Sequence, residues 1–373
     1  MRVLVIGAGP GGLAAAASFA AQGVEVVVAE EQPEGTILGS ELMLPVMVHA
    51  FLERLGILER CMEEGVPGSE MVLVPHHGVP PMCVPLPELI EGREPRGIGI
   101  TRPNLLGALR DRVAELGVEI RYGTPALIVR QEASDVVVSL GDSEETYDLV
   151  VAADGVFSRT RSAVFPEVPA PTPAGEGAWR ALLQRTEKSP EQMISIVYGP
   201  DRRKVGLINV TADDMYLFML EPAEEGRRFD RDTMPQELRS RLAGFTDQVA
   251  EARDGLHDGT YVHYSTLHLL SVPAPWHRGR VVLIGDAAHA VTPHLSYGAG
   301  LSMEDGVILA DCVLDAASVE DGLKAFSERR FARCDDAVRA CAKLVESELH
   351  PGDVDFNPIH VTNDVWRRLA EPA

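Results

Sequence analysis

The opening stretch, MRVLVIGAGPGGLAAAASFAAQGVEVVVAE, confines this chain to a narrow set of folds. An apolar run, VLVI, meets three glycines spaced G-x-G-x-x-G (Gly7, Gly9 and Gly12), and an alanine-rich stretch follows directly. A second apolar run, VEVVVAE, closes on Glu30. The pattern reads as strand, tight turn, helix and strand. Gly7 permits the turn, Gly9 lets backbone amides approach a pyrophosphate, and Gly12 lets helix and strand pack closely. The pyrophosphate then meets free N–H groups and the positive end of the helix dipole. A carboxylate at Glu30 suits the two hydroxyls of a ribose and disfavours a 2′-phosphate, which leaves NAD or FAD.

A distant loop separates these two cofactors. VVLIGDAAHAVTPHLSYGAG (281–300) begins as a buried strand and stops on Asp286, a carboxylate suited to a ribityl or ribose hydroxyl. Gly298, Ala299 and Gly300 then open the helix LSMEDGVILADCVLD. Its N-terminus suits the negative pyrimidine edge of a reduced isoalloxazine. One loop would hold the adenine end and the other the flavin end, a span that only FAD requires. A third segment, DLVVAADGVFSRTR (148–161), is a strand ending on Asp154 and Gly155, placed to approach the pyrophosphate side.

Taken together, GAGPGG with Glu30, then ADGVFSRTR, then GDAAHAVTPH with MED (303–305), resemble the three fingerprints of FAD-dependent single-component aromatic hydroxylases. This is the p-hydroxybenzoate and salicylate hydroxylase class, and the likeness runs through nearly the whole chain in order. The resemblance implies an α/β fold: a Rossmann-like FAD-binding domain of the glutathione-reductase βαβ type, an inserted antiparallel β-sheet substrate domain, and C-terminal helices. It implies an FAD-contacting arginine at Arg102 and a backbone contact from Ala126 to the adenine. It also implies transient use of NAD(P)H, a C4a-hydroperoxyflavin, and transfer of one oxygen atom from molecular oxygen to a small phenolic or N-heteroaromatic substrate. Three positions depart from the family pattern. Glu31 stands where an arginine usually follows the ribose acid, GTIL precedes the Gly39 loop without its usual arginine, and Ser296-Tyr297-Gly298 replaces G-Q-G.

The remaining sequence fits a two-unit chain. Pro-rich joints at PPMCVPLP (80–87) and PEVPAPTPAG (166–175) frame a turn-rich, alternating segment from Trp179 to about Leu220. The expected FAD-binding domain is discontinuous, covering 1–72, 97–172 and 270–345. The substrate domain takes 73–96 and 173–269, and a helical tail takes 346–373, with a short helix around Trp366. A net charge of −22 argues against nucleic acid and anionic membrane surfaces as partners. Five cysteines without a C-x-x-C pair suit free thiols in a reducing compartment rather than a disulfide frame or a metal site. The first residues already read as a strand, and no apolar run approaches the ~20 residues of a membrane span. A cytoplasmic monomer or homodimer is expected.

Three residues are candidates for chemistry at the substrate. His294, just before the flavin-facing glycines, is of the type that accepts a phenolic proton near neutral pH, with a loop histidine bonded to backbone as the competing reading. Tyr216 falls on a sheet strand where the family has its pocket wall, with a core aromatic as the competing reading. Arg180 in AWRALL could pair with a substrate carboxylate or serve the surface. His49, His263 and His268 read as packing or strand-covering residues, and His76-His77 as a hairpin tip. Competing functions on the same fold are a reductase, oxidase or epoxidase; a non-catalytic flavin-binding protein is the competitor from another class.

Overall fold

The computed structural model describes residues 1–36, 41–74, 80–187, 189–199, 203–223, 226–350 and 357–372. Five parallel strands form the central sheet, in the order Val281–Leu283, Leu149–Ala152, Arg2–Ile6, Glu25–Ala29 and Glu119–Arg121, with His277–Arg278 antiparallel at one edge. The apolar runs seen in the sequence fill this sheet because both its faces are covered, so alternation with polar residues is lost. Val3, Leu4, Val5, Val150, Val151, Val281 and Val282 are fully buried. The order places the ends of the first and third motif strands side by side, with the late strand next to them. All three carboxyl edges therefore converge, the usual place for a ligand on an open α/β sheet.

Glycine sets the distance between the two helices that follow the first and last of these strands. A Cβ on Gly12 would stand 2.0 Å from Gly7 O, so the helix Pro10–Ala21 lies almost against its own turn. A Cβ on Gly306 would stand 2.5 Å from Ala15 N, and one on Gly11 would stand 2.9 Å from Ser302 O. The helix Gly298–Asp315 thus crosses the first helix at backbone contact.

A second sheet has seven strands in the order Val262–Leu269, Thr172–Gln184, Asp214–Pro222, Lys204–Asn209, Ile194–Tyr198, Glu70–Val74 and Met82–Pro85. It is antiparallel except where Ile194–Tyr198 and Glu70–Val74 run side by side. The proline-rich ribbon supplies the edge strand Met82–Pro85, where a missing N–H costs no ladder bond. Its tip, with His76 and His77, lies outside the described residues. Alternation gives the sheet two faces. Trp179, Ala181, Leu183, Leu217 and Met219 pack with Leu238 and Val249 of two short helices in a core of their own. Ile194, Ile196, Ile208 and Tyr216 on the other face join the core of the nucleotide-binding unit.

The long helix Val319–Leu349 and the terminal helix Pro358–Ala370 close the molecule. Val365, Trp366 and Leu369 are buried in the main core, and the Trp366 indole N–H donates to Leu295 O at 2.9 Å. The tail therefore packs on its own chain, against the late glycine loop. Among the described residues no helix is long and apolar enough to cross a membrane, and all five cysteines are free.

Replacing Gly306 tests the helix crossing. In an uncrowded helix, Gly→Ala stabilises by up to about 1 kcal/mol. Here the added carbon meets backbone, so Gly306→Ala is expected to lower the denaturation midpoint; a raised midpoint would show that the helices are not in backbone contact.

Candidate cofactor and substrate site

The first loop is built around a left-handed residue and a fixed acid. Gly7 adopts φ +104°, and a Cβ there would meet Ala153 O at 2.4 Å, so the loop sits directly on the strand end that carries Asp154. Glu30 accepts N–H bonds from Ala8 and Gln32, both at 2.8 Å, which hold its carboxylate over the mouth of the glycine turn. Thr124 N–H donates to Glu30 O at 2.8 Å, which brings the strand beginning at Ala126 alongside. Glu31, in place of the family's usual arginine, pairs with Arg159 at 2.9 Å. A cation thus occupies this neighbourhood from another segment, although the pair is exposed and contributes little to stability.

Asp154 works mainly on its own turn. Its carboxylate accepts from Ser158 Oγ at 2.6 Å and Thr160 N–H at 3.0 Å, opening the short helix Arg159–Val164. Arg161 from that helix donates to Ala287 O at 2.9 Å and Val156 O at 2.7 Å. One guanidinium thereby ties the third motif to the Asp286 turn, a link not assigned from sequence.

Around Asp286 the charges are crowded. Asp286 lies in the turn Gly285–Ala287, beside Arg102, with Arg102 in turn close to Arg180 and Glu41. The Asp286 residue opens to solvent, yet it is so closely walled that burial pushes its carboxyl above the ordinary aspartate range, against the pull of His289 and Arg102. Burial likewise lowers the Arg102 guanidinium from its usual value, partly offset by Asp286. Arg102 opens the helix Arg102–Glu115, which Thr101 caps by accepting Asn104 N–H at 3.2 Å. Glu41 was not singled out from the sequence. Burial raises its carboxyl, against Arg180 and Arg102, and nothing in the flanking residues GSELMLP marks it as a site residue.

Beneath the late loop lies a fully buried ionic network. Asp305 accepts Gly285 N–H at 2.8 Å and lies 2.5 Å from His289 Nε2 and 2.7 Å from Arg330 Nε. Arg330 and Arg333 both lie 2.8 Å from Glu304 Oε1. Burial opposes charge on His289, yet Cys334 and Asp305 hold its pKa well above the ordinary value. The MED motif therefore acts from below the loop: Asp305 holds the Gly285 backbone, and Glu304 pairs with two arginines.

The departure from G-Q-G now has a physical reading. Ser296 takes φ +50°, ψ +27°, the left-handed conformation in which glycine is favoured. Tyr297 turns into the protein, 1% exposed, with its hydroxyl 3.5 Å from Glu304 Oε2. A Cβ on Gly300 would strike that ring at 2.8 Å, so Gly300 serves packing as well as helix initiation. Gly298, Ala299 and Gly300 form the first turn of their helix, whose N–H groups have no intrahelical acceptor.

Arg180 and Tyr216 lie on the same face of the seven-stranded sheet. The register pairs Arg180 with Phe218 and Leu182 with Tyr216, and Tyr216 packs with the nucleotide-binding core. Arg180 donates to Ser265 Oγ at 2.7 Å. His263 pairs with Arg180 in the register, and His268 stacks edge-on against the exposed ring of Phe157 at 5.1 Å. His294 faces inward: its Nδ1 is 2.8 Å from Thr292 Oγ1, and its Nε2 is 3.3 Å from Glu176 and 3.7 Å from Glu348. His49 is fully buried in helix packing. A separate cleft of about 550 Å³, lined by residues such as Gln184, Glu251 and Tyr261, includes none of the glycine-loop residues.

These residues fit an extended dinucleotide. A Cβ on Gly9 would meet nothing within 4 Å, so the loop faces open space at the position where a pyrophosphate needs it. Arg102 Nε is buried with no hydrogen-bond partner among the described residues, and Asp286 opens onto the same cleft. Comparison with known proteins agrees. The FAD binding domain family matches residues 1–341, and the chain belongs to it. The putative FAD-dependent monooxygenase YetM of Bacillus subtilis is 27% identical, over 93% of this chain and 94% of its own. The 2-heptyl-3-hydroxy-4(1H)-quinolone synthase of Pseudomonas aeruginosa is 30% identical, over 89% and 86%. The crystal structure of Klebsiella pneumoniae HpxO with FAD and uric acid superimposes with a TM-score of 0.85 at 26% identity, covering 100% of this chain and 93% of that one. The chain is a flavoprotein of the FAD-dependent monooxygenase class.

Two substitutions separate cofactor binding from folding. Asp286→Ala is expected to lose bound FAD, read as the ratio of flavin to protein absorbance, while circular dichroism stays native; full flavin content would remove Asp286 from the site. Ser296→Gly relieves a left-handed residue and is expected to stabilise the holoprotein by about 1 kcal/mol, seen as a higher midpoint in denaturant. A lower midpoint would mean the serine hydroxyl contributes more than its backbone costs.

Proposed function

We propose that this chain is an NAD(P)H-consuming monooxygenase that hydroxylates a phenolic or N-heteroaromatic substrate bearing an anionic group. The observation that carries this reading is the position of Arg180. It sits on the sheet face that packs toward the nucleotide-binding unit, close to Arg102 and Glu41. Its Nη1 donates to Ser265 Oγ at 2.7 Å and to Ala178 O at 3.4 Å, and among the described residues it forms no ion pair with a carboxylate. A guanidinium held this way recognises a planar carboxylate through two parallel bonds.

Bound FAD would supply hydride acceptance and oxygen activation. The chain's own residues would supply the rest. Glu30, the amide-lined turn at Gly9, Arg102 and Asp286 would hold the extended cofactor, with Asp154 and Ala126 bordering it through backbone. The first-turn amides of Gly298, Ala299 and Gly300 would favour negative charge at the ring's edge. Tyr216, Phe218 and Ile208 line the sheet face opposite, apolar enough to exclude water from an aromatic guest. Relatives with names such as FAD-dependent urate hydroxylase and 6-hydroxynicotinate 3-monooxygenase support a heteroaromatic substrate.

Oxygen-18 tests the proposal. With ¹⁸O₂, NADH or NADPH, and a panel of aromatic and N-heteroaromatic acids, one product is expected to carry a single labelled hydroxyl, with one nicotinamide oxidised per product. Arg180→Met is expected to raise KM for that acid about 10- to 100-fold, from loss of a charge-assisted bond of roughly 1.5–3 kcal/mol. Nicotinamide oxidation with no labelled ring in any case would assign the chain to the reductases or oxidases of this fold. An unchanged KM would remove Arg180 from substrate recognition.

A further inference from the structure

The site leaves one buried ionic cluster unused. Glu176, on the strand Thr172–Gln184, and His294, in the turn Pro293–Leu295, have side chains only 3% exposed. Their facing atoms, Glu176 Oε2 and His294 Nε2, stand 3.3 Å apart, and neither makes an aligned hydrogen bond. Glu348, in the last turn of the helix Val319–Leu349, approaches the same Nε2 at 3.7 Å. Lys204, from the strand Lys204–Asn209, closes the group by an ion pair to Glu348. Thr292 Oγ1 holds the other ring nitrogen, and Cys341 Sγ donates to Thr292 O at 3.4 Å.

The charges decide how this cluster works. Two carboxylates balance one ammonium and one imidazolium. With a neutral imidazole, Glu176 becomes a buried carboxylate with no cation beside it, and an uncompensated buried charge destabilises the folded state. A divalent cation is poorly suited here, because Lys204 already occupies the approach to Glu348 and would be repelled.

We propose that Glu176 is a positioning residue for the flavin-side loop: through protonated His294, it clamps the turn 293–297 to the substrate sheet, and loss of that proton releases the clamp. The reach of this clamp follows from chain geometry. His294 lies four residues before Gly298, where the helix facing the flavin begins. Glu176 lies four residues before Arg180 on the same face of one strand, so a single strand carries both the clamp and the proposed substrate anchor. The proposal rests on the flavin reading of the late loop, but not on hydroxylation.

The direction of the pH effect is fixed by the neighbours. Burial opposes charge on His294, yet Glu176 and Glu348 outweigh it and raise the imidazole's pKa; Lys204 opposes them. Stabilisation from a raised imidazole is complete below its unfolded pKa, about 6.5, and is lost as pH climbs through the higher folded value. Glu348 acts at the other end. Against burial, His294 and Lys204 hold it at about 2, so its contribution is present above the unfolded carboxylate pKa, about 4.3, and is lost as pH falls through about 2.

The test uses the FAD-loaded protein, with flavin release on heating followed by fluorescence from about pH 5.5 to 9.5, a range chosen to span the ordinary imidazole pKa of about 6.5. In the wild type the release temperature is expected to fall on the alkaline side. Glu176→Gln is expected to release flavin at a lower temperature at acid pH and to show a smaller alkaline fall, so that the two curves converge at high pH. Parallel curves would overturn the proposal. Should Glu176→Gln fail to fold, Glu348→Gln at a partly accessible position serves instead. Losing one carboxylate is expected to move the midpoint of the alkaline fall to lower pH, and an unmoved midpoint would overturn the proposal. A protein that binds FAD and shows this profile without hydroxylating any substrate would remove the monooxygenase reading and leave the clamp standing.

Discussion

Asp305 is the residue on which the cofactor side of this protein depends. Its carboxylate takes the Gly285 N–H, faces His289, and pairs with Arg330, all in full burial. Against the effect of burial, His289 and Arg330 keep the carboxyl below the usual aspartate range. Because Gly285 immediately precedes Asp286, the buried pair sets the position of that carboxylate beside Arg102. Arg330 comes from the long helix, so the turn, the loop helix and the long helix meet at the Asp305 carboxylate. Removing one member of such a group would strand an opposite charge in the interior, which costs about 3–5 kcal/mol in comparable cases. The network makes the loop stiff at the expense of tolerance to substitution.

The backbone of the site was legible in the sequence, and the ionic layer beneath it was not. Glycine spacing and strand-ending acids report local geometry, which depends on neighbours a few residues away. The tight turn at Gly7 and the close packing at Gly12 could therefore be read directly, and Glu30 stands beside the same turn, accepting the Ala8 N–H. Glu41 and Arg161 act across 60 residues of chain or more, Arg330 reaches Asp305 in another helix, and nothing in their flanking residues announces it. MED was visible as a motif. That its carboxylates work from underneath was not. The G-Q-G departure shows the same division: the substitution was plain in the sequence, whereas the inward turn of Tyr297, with its ring against Gly300 and its hydroxyl 3.5 Å from Glu304 Oε2, was not.

The two faces of the seven-stranded sheet are built differently. Its outer face packs into a private core with Trp179 and two short helices, whereas Ile194, Ile196, Ile208 and Tyr216 of the inner face join the main core. The inner face also carries polar and charged groups such as Arg180, Ser265 and Glu176. Gly206 marks the crowding there, since a Cβ would overlap the Phe218 ring at 2.0 Å. Changing that pair would reshape the wall while leaving the outer core untouched.

The crossing of the first and late helices has a consequence for how the protein is made. Gly11 emerges from the ribosome early, but its partners Ser302 and Gly306 follow about 290 residues later. At roughly 5–20 residues per second, the first βα unit spends on the order of tens of seconds without the surface it is shaped to meet. During that interval its alanine-rich helix has an uncovered apolar side, and the strand Leu149–Ala152 lacks its neighbour Val281–Leu283. Completion of the cofactor site is therefore a late event for this topology, because the turn at Gly285 and the helix from Gly298 must emerge before the first loop meets its partners.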